Sequence, residues 1–125
     1  MSRSDWRILV VEDDPDGQMV VATILEHLKI GIDVAGSAEE AEHYLFQLNR
    51  RYDAAILDLA LPGKDGWELL AQIQRSAATA DLPCIAVTAH HTSKLREEAI
   101  RAGFTAYFPK PIDATTFARR LEELL

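Results

Sequence analysis

Short apolar runs alternate with stretches of helical period along this chain. Ile8-Leu9-Val10-Val11 is unbroken, as a strand buried on both faces should be. Asp14-Pro15 then places an acid at an N-cap and a proline at the first helical position. The helix they start is predicted to run to about Lys29 and stop near Gly31. Ile32-Asp33-Val34-Ala35 is a weaker strand. Ser37-Ala38-Glu39-Glu40 reads as a capping box, because the serine oxygen and the glutamate carboxylate can satisfy each other's free amides. Ala38, Ala41, Leu45 and Leu48 follow on one helical face. Ala54-Ala55-Ile56-Leu57 is the next buried strand, Pro62-Gly63-Lys64-Asp65-Gly66 a loop, and Trp67 to Arg75 a helix with Leu70 and Ile73 inward. Cys84-Ile85-Ala86-Val87 is a fourth strand. Leu95, Ala99 and Ala102 mark a helix stopped by Gly103. Phe104 to Phe108 is a fifth strand, and Phe117, Leu121 and Leu124 line the last helix.

A strand-helix unit repeated to the end predicts an α/β fold: a doubly wound parallel sheet, covered by helices on both faces through right-handed crossovers. There is no internal repeat, low-complexity stretch or linker, so residues 1–125 are expected to form one domain with its core from about 7 to 125. The fifth helix ends the sequence, and no output domain is expected.

Composition narrows the class. A hydrophobic share of 48% with 26% charged residues fits a folded globular chain and not a disordered one. No apolar run approaches the ~20 residues of a membrane helix. Met1-Ser2-Arg3-Ser4-Asp5-Trp6 lacks the apolar stretch of a signal peptide. One cysteine, Cys84, excludes an internal disulfide and fits a reducing, cytoplasmic setting. The net charge of −7 argues against a nucleic-acid surface. Asn49-Arg50-Arg51 and Arg119-Arg120 read as solvated charges.

In such sheets ligands sit beyond the carboxyl ends of the strands. Those ends carry Glu12-Asp13-Asp14, Asp58, Thr88-Ala89 and Phe108-Pro109-Lys110-Pro111. Converged on one edge, they make an acidic cluster flanked by a hydroxyl and a lysine. Clustered carboxylates repel one another and call for a cation. All-oxygen ligands without His or Cys point to Mg²⁺, Mn²⁺ or Ca²⁺, and the alternating acids and central glycine of a calcium loop are absent. Mg²⁺ suits Asp13 and Asp58 as direct ligands, with Glu12 acting through water. Alone, Asp58 would pass for a helix cap or a surface acid. A carboxylate can, however, attack a phosphoryl group, with Lys110 neutralising one phosphoryl oxygen and Thr88 donating to another.

Ile8 to Pro15, Leu57 to Gly66, Val87-Thr88-Ala89 and Tyr107 to Pro111 together resemble the bacterial response-regulator receiver family, from about Arg7 to Leu125. The resemblance implies the flavodoxin-like strand order 2-1-3-4-5 of a single-domain, chemotaxis-type receiver. It implies Asp58 as phosphorylation site and Glu12, Asp13, Asp58 and the Ala60 carbonyl as the Mg²⁺ site, with Mn²⁺ an alternative. It implies Thr88 and Lys110 as catalytic partners and a cis Lys110-Pro111 peptide that aims the lysine inward. Thr88 and Tyr107 would form the switch, Tyr107 rotating inward on phosphorylation and altering the face of the fourth helix, fifth strand and fifth helix. The implied partners are a histidine kinase or phosphotransfer protein and a downstream protein at that face. The chain would be a monomer or a phosphorylation-dependent homodimer, and would catalyse only its own phosphorylation and dephosphorylation.

Two positions set this copy apart: Ala60, two after Asp58, leaves the site open, and His90 lies two after Thr88. His90 and His91 are expected to be solvated loop residues and not a metal pair. Cys84 is expected in the core, Trp67 against the sheet, Trp6 partly exposed, and His27 and His43 on the surface.

A receiver-like interaction module that signals without phosphate is the alternative. Enzyme readings fare worse. A phosphohydrolase would want an acid where Ala60 stands. A flavin carrier would want a small hydroxyl-rich loop where Glu12-Asp13-Asp14 would repel phosphate. A nicotinamide site would need a glycine fingerprint where only Gly17 is near.

Overall fold

A computed structural model describes residues 5–125, so the reading of Met1 to Ser4 as no signal peptide falls outside the described residues. Five strands, β1 (Arg7–Val11), β2 (Gly31–Ala35), β3 (Ala54–Asp58), β4 (Cys84–Thr88) and β5 (Ala106–Pro109), pair in parallel in the order β2-β1-β3-β4-β5. Helices α1 (Pro15–His27), α2 (Ala38–Glu42), α3 (Gly66–Arg75), α4 (Ser93–Ala102) and α5 (Ala114–Leu124) connect and follow them. This is the expected flavodoxin-like fold and strand order. No helix among the described residues is long and apolar enough to cross a membrane.

Side chains alternate across a strand, so each buried strand feeds two cores. Leu9, Val11, Ala55, Leu57 and Ala86 pack with α2, α3 and Ala99 of α4. Ile8, Val10, Ala54, Ile56, Ile85 and Val87 pack on the other face with Val21 and Leu25 of α1 and Phe117 and Leu121 of α5. Side-chain caps from Asp14, Ser37, Asp65, Thr92 and Asp113 start the five helices.

Several expectations need correction. Trp6 is buried, only 9% exposed. Its carbonyl accepts from the Gly31 amide at 3.0 Å, extending the sheet pairing by one residue. Trp6 therefore shares the inward face of Ile8 and Val10. Leu48 is 47% exposed although Ala38, Ala41 and Leu45 are buried. After α2 the chain widens into a π-helical segment, His43–Gln47. Its extra residue per turn takes Leu48 off the stripe. Ala102 is exposed too. The fifth strand begins at Ala106 and not at Phe104. Gly103, at φ 117°, and the Phe104 amide bonded to Ala99 oxygen instead close α4.

Cys84 is buried as expected, and burial pushes its thiol up to about 12. Trp67 is half-buried, edge-on to Phe104 at 5.8 Å, and His27 and His43 are exposed.

Candidate functional site

The parallel register carries four strand ends to one edge of the sheet. Val11 pairs with Leu57, Asp58 with Val87, and Thr88 with Pro109. Glu12, Asp13, Asp58, Thr88 and Lys110 all follow or end these strands. Glu12 and Asp58 are buried at 3% and 5% exposure, while Asp13 is exposed. Each of the three acids offers a carboxylate oxygen within 4.8 Å of the others, which makes a cluster able to hold a metal ion.

Lys110 closes the cluster from β5. Its Nζ donates to Asp58 Oδ2 at 2.9 Å and to Glu12 Oε1. The Lys110-Pro111 peptide is cis, as the resemblance implied. The Ala60 amide donates to Asp58 Oδ1 at 2.8 Å, so both Asp58 oxygens are held. Thr88 is buried, and its Oγ1 accepts from the His90 amide at 3.0 Å. That leaves the hydroxyl hydrogen available to donate.

Two acids with one lysine cannot both ionise freely. Burial, then the neighbouring Asp58, raise Glu12 to about 7 against the pull of Lys110. Burial also opposes ionisation of Asp58. There, hydrogen bonds from Glu12, the Ala60 amide and Lys110 outweigh it and hold the carboxyl below its ordinary value. Burial works against the charge on Lys110, but the hydrogen bonds to Glu12 and Asp58 raise it. The shared lysine thus favours the charge on Asp58 over that on Glu12, an asymmetry suited to a nucleophile beside a cation site.

Three further residues shape the site. A side chain on Gly17 would collide with the Glu12 carboxylate, and one on Gly66 with the backbone at Asp58. The Gln18 side-chain Nε2 donates to the Glu12 backbone carbonyl at 2.7 Å. Gly17 and Gln18 were not legible as site residues, because their role depends on α1 folding back over the end of β1.

His91 departs from its expected part. It is exposed, yet its Nδ1 meets the Tyr107 hydroxyl at 2.9 Å with the rings 5.5 Å apart. Tyr107 itself is buried, 8% exposed. Nothing in the spacing of residues 91 and 107 announces the pair.

Known proteins agree with this geometry. The family model for the response regulator receiver domain matches residues 8–122. A 14.6 kDa protein in the sodA1 3′ region of Leptolyngbya boryana is 35% identical over 117 residues, 93% of this chain and 87% of that protein. The transcriptional regulatory protein ResD of Bacillus subtilis is 33% identical over 122 residues, 98% of this chain but 49% of its own. The chain thus spans about half the length of that regulator. The receiver domain of the sensor histidine kinase PA1611 from Pseudomonas aeruginosa, solved with a magnesium ion coordinated in its active site cleft, has a TM-score of 0.85 at 29% identity. That match covers 95% of this chain and 96% of the other.

Proposed function

This chain belongs to the response regulator receiver domain family, and on that premise we propose that it is a Mg²⁺-dependent phosphoacceptor switch, charged on Asp58 by a histidine kinase or phosphotransfer protein. The observation that carries the reading is the Asp58 carboxylate, held between Lys110 and the Ala60 amide inside the acidic cluster.

The donor set fits the metal. Three hard carboxylate oxygens at close range match Mg²⁺ or Mn²⁺ better than a softer ion. When bound, Mg²⁺ offsets the charge of the acids and of the incoming phosphoryl oxygens. Asp13 and Asp58 would hold it directly, Glu12 through water, and the Ala60 carbonyl would supply a further oxygen.

The chain's own residues do the rest. An Asp58 oxygen attacks the phosphorus, and the bond from phosphorus to the donor's imidazole nitrogen breaks, its electron pair leaving with the imidazole. Lys110 neutralises one phosphoryl oxygen, and the Thr88 hydroxyl donates to another. Attack by water returns the carboxylate, with Ala60 leaving the approach open. The protein transforms only itself, and a reducing, cytoplasmic compartment suits its single buried cysteine. Output runs from Thr88 through Tyr107 to the face of α4, β5 and α5, where a downstream protein binds.

The test is transfer from a phosphorylated histidine kinase domain with and without Mg²⁺. Radiolabel should move to wild type only with the metal, and not to Asp58→Asn. Equal labelling of Asp58→Asn, or no labelling of wild type by any donor, would overturn the reading.

A further inference from the structure

The loop from Ala89 to Thr92, between β4 and α4, is tied at both ends. The His90 amide donates to Thr88 Oγ1 beside the acidic cluster. Two groups just beyond it grip Tyr107. His91 Nδ1 meets its hydroxyl at 2.9 Å, and the Arg96 guanidinium lies 5.4 Å from its ring centre. With the imidazole proton on Nε2, the phenolic hydrogen donates to Nδ1. Neither grip comes from Asp58 or from the acids around it.

Tyr107 is also a wall of a groove of about 240 Å³, shared with Arg96, Ile100, Phe108, Thr116 and Arg120. Where the ring sits therefore decides the shape of the surface between α4 and α5. Of the two grips, the guanidinium lies over the ring and the imidazole meets the hydroxyl. The imidazole is the one that substitution removes, and it is free of any core role because His91 is exposed.

We propose that His91 is a positioning residue that holds Tyr107 buried whether or not Asp58 carries a phosphoryl group, keeping the output groove formed in the resting protein. The inference rests on the phosphoacceptor reading for its meaning, but not for its test. A partner selecting the buried ring would bind the resting protein appreciably, and phosphorylation would raise that affinity by a smaller factor than in a copy without the imidazole. Loss of one hydrogen bond should shift the buried-to-exposed balance of Tyr107 roughly fivefold.

The experiment uses the full chain with 3-fluorotyrosine in place of its tyrosines, the Tyr107 resonance being assigned by Tyr107→Phe. Broadening by a soluble gadolinium chelate reads exposure, with no phosphodonor present. The wild-type resonance should be protected, His91→Ala several-fold more broadened, and His91→Gln protected again, since its amide oxygen can accept the phenolic hydrogen. Equal protection of His91→Ala and wild type, or no rescue by His91→Gln, would overturn the latch. Adding phosphodonor and Mg²⁺ should then re-protect His91→Ala. Failure of that arm alone, with no phosphoryl uptake, would count against Asp58 as acceptor and leave the latch standing.

Discussion

The acidic cluster at the carboxyl ends of the strands and the lone Asp33 on edge strand β2 differ in one respect, the ratio of acids to donors. At the carboxyl ends, Glu12 and Asp58 share the single Lys110, and Asp13 adds a third acid nearby. On the edge strand β2, Asp33 alone accepts from Arg7 at 2.8 Å, Arg50 at 3.3 Å and the Tyr52 hydroxyl at 2.6 Å. Burial opposes the Asp33 charge, but Tyr52 and Arg7 hold its pKa below the ordinary range. An acid with surplus donors is finished, and adding a ligand would only break bonds. An acid cluster with too few donors is left with unmet negative charge and a displaced proton on Glu12. The first arrangement ties strands and loops together; the second is a cluster able to hold a cation.

The largest expected contrast is in phosphoryl uptake. Asp58→Asn should lower incorporation by at least about a hundredfold, because an amide is no nucleophile. Asp33→Asn should leave the initial rate within roughly twofold, by the same assay. Equal losses in the two variants would dissolve the comparison.

Lys110→Met should slow uptake by roughly ten- to a hundredfold, since it removes the donor aimed at developing phosphoryl charge. Rapid-quench kinetics with a saturating small phosphodonor would show it as a fall in rate at unchanged final stoichiometry.

Stability should show the reverse pattern. Asp33→Ala leaves Tyr52, Arg7 and Arg50 without their acceptor and should cost about 1–3 kcal/mol in urea unfolding. Because its folded pKa is lowered, the stability from Asp33 is complete above its unfolded pKa. It is lost as pH falls through the folded value. Wild type and Asp33→Ala should therefore converge in acid.

The smallest effect is a pH slope of opposite sign. Glu12 keeps its proton in the folded chain up to about 7, whereas the unfolded chain releases it near 4.5. Its contribution without metal should decline as pH rises between those values, and Mg²⁺ should offset the decline. Glu12→Gln should flatten that part of the stability curve and weaken the Mg²⁺ effect, as thermal melts across pH would show.

Much of this contrast was legible in sequence, but unevenly. Unbroken runs such as Ile8 to Val11 and Ala54 to Leu57 identify strands buried on both faces. A parallel sheet then forces their ends, and with them Glu12, Asp13, Asp58, Thr88 and Lys110, to one edge. Their motifs matched a family as well. Trp6 was misplaced because pairing beyond the apolar run extends its alternation, and Leu48 because a π-helical turn breaks the period. Asp33 carried no assignment beyond its weaker strand, since its partners Arg7, Arg50 and Tyr52 lie on other elements. His91 and Tyr107 are sixteen residues apart in sequence, and only the packing of α4 against β5 brings them together.

The most direct test of Asp58 as acceptor is chemical trapping. Borohydride reduces an acyl phosphate to an alcohol and spares free carboxylates, so a phosphorylated aspartate is converted to homoserine. Wild type treated with small phosphodonor and Mg²⁺, then reduced and digested, should show homoserine at position 58 and at no other acid. Homoserine at Asp13 or Glu-derived alcohol at Glu12 in place of Asp58, or no reduced residue at all in a chain that gains a phosphoryl group, would contradict the account.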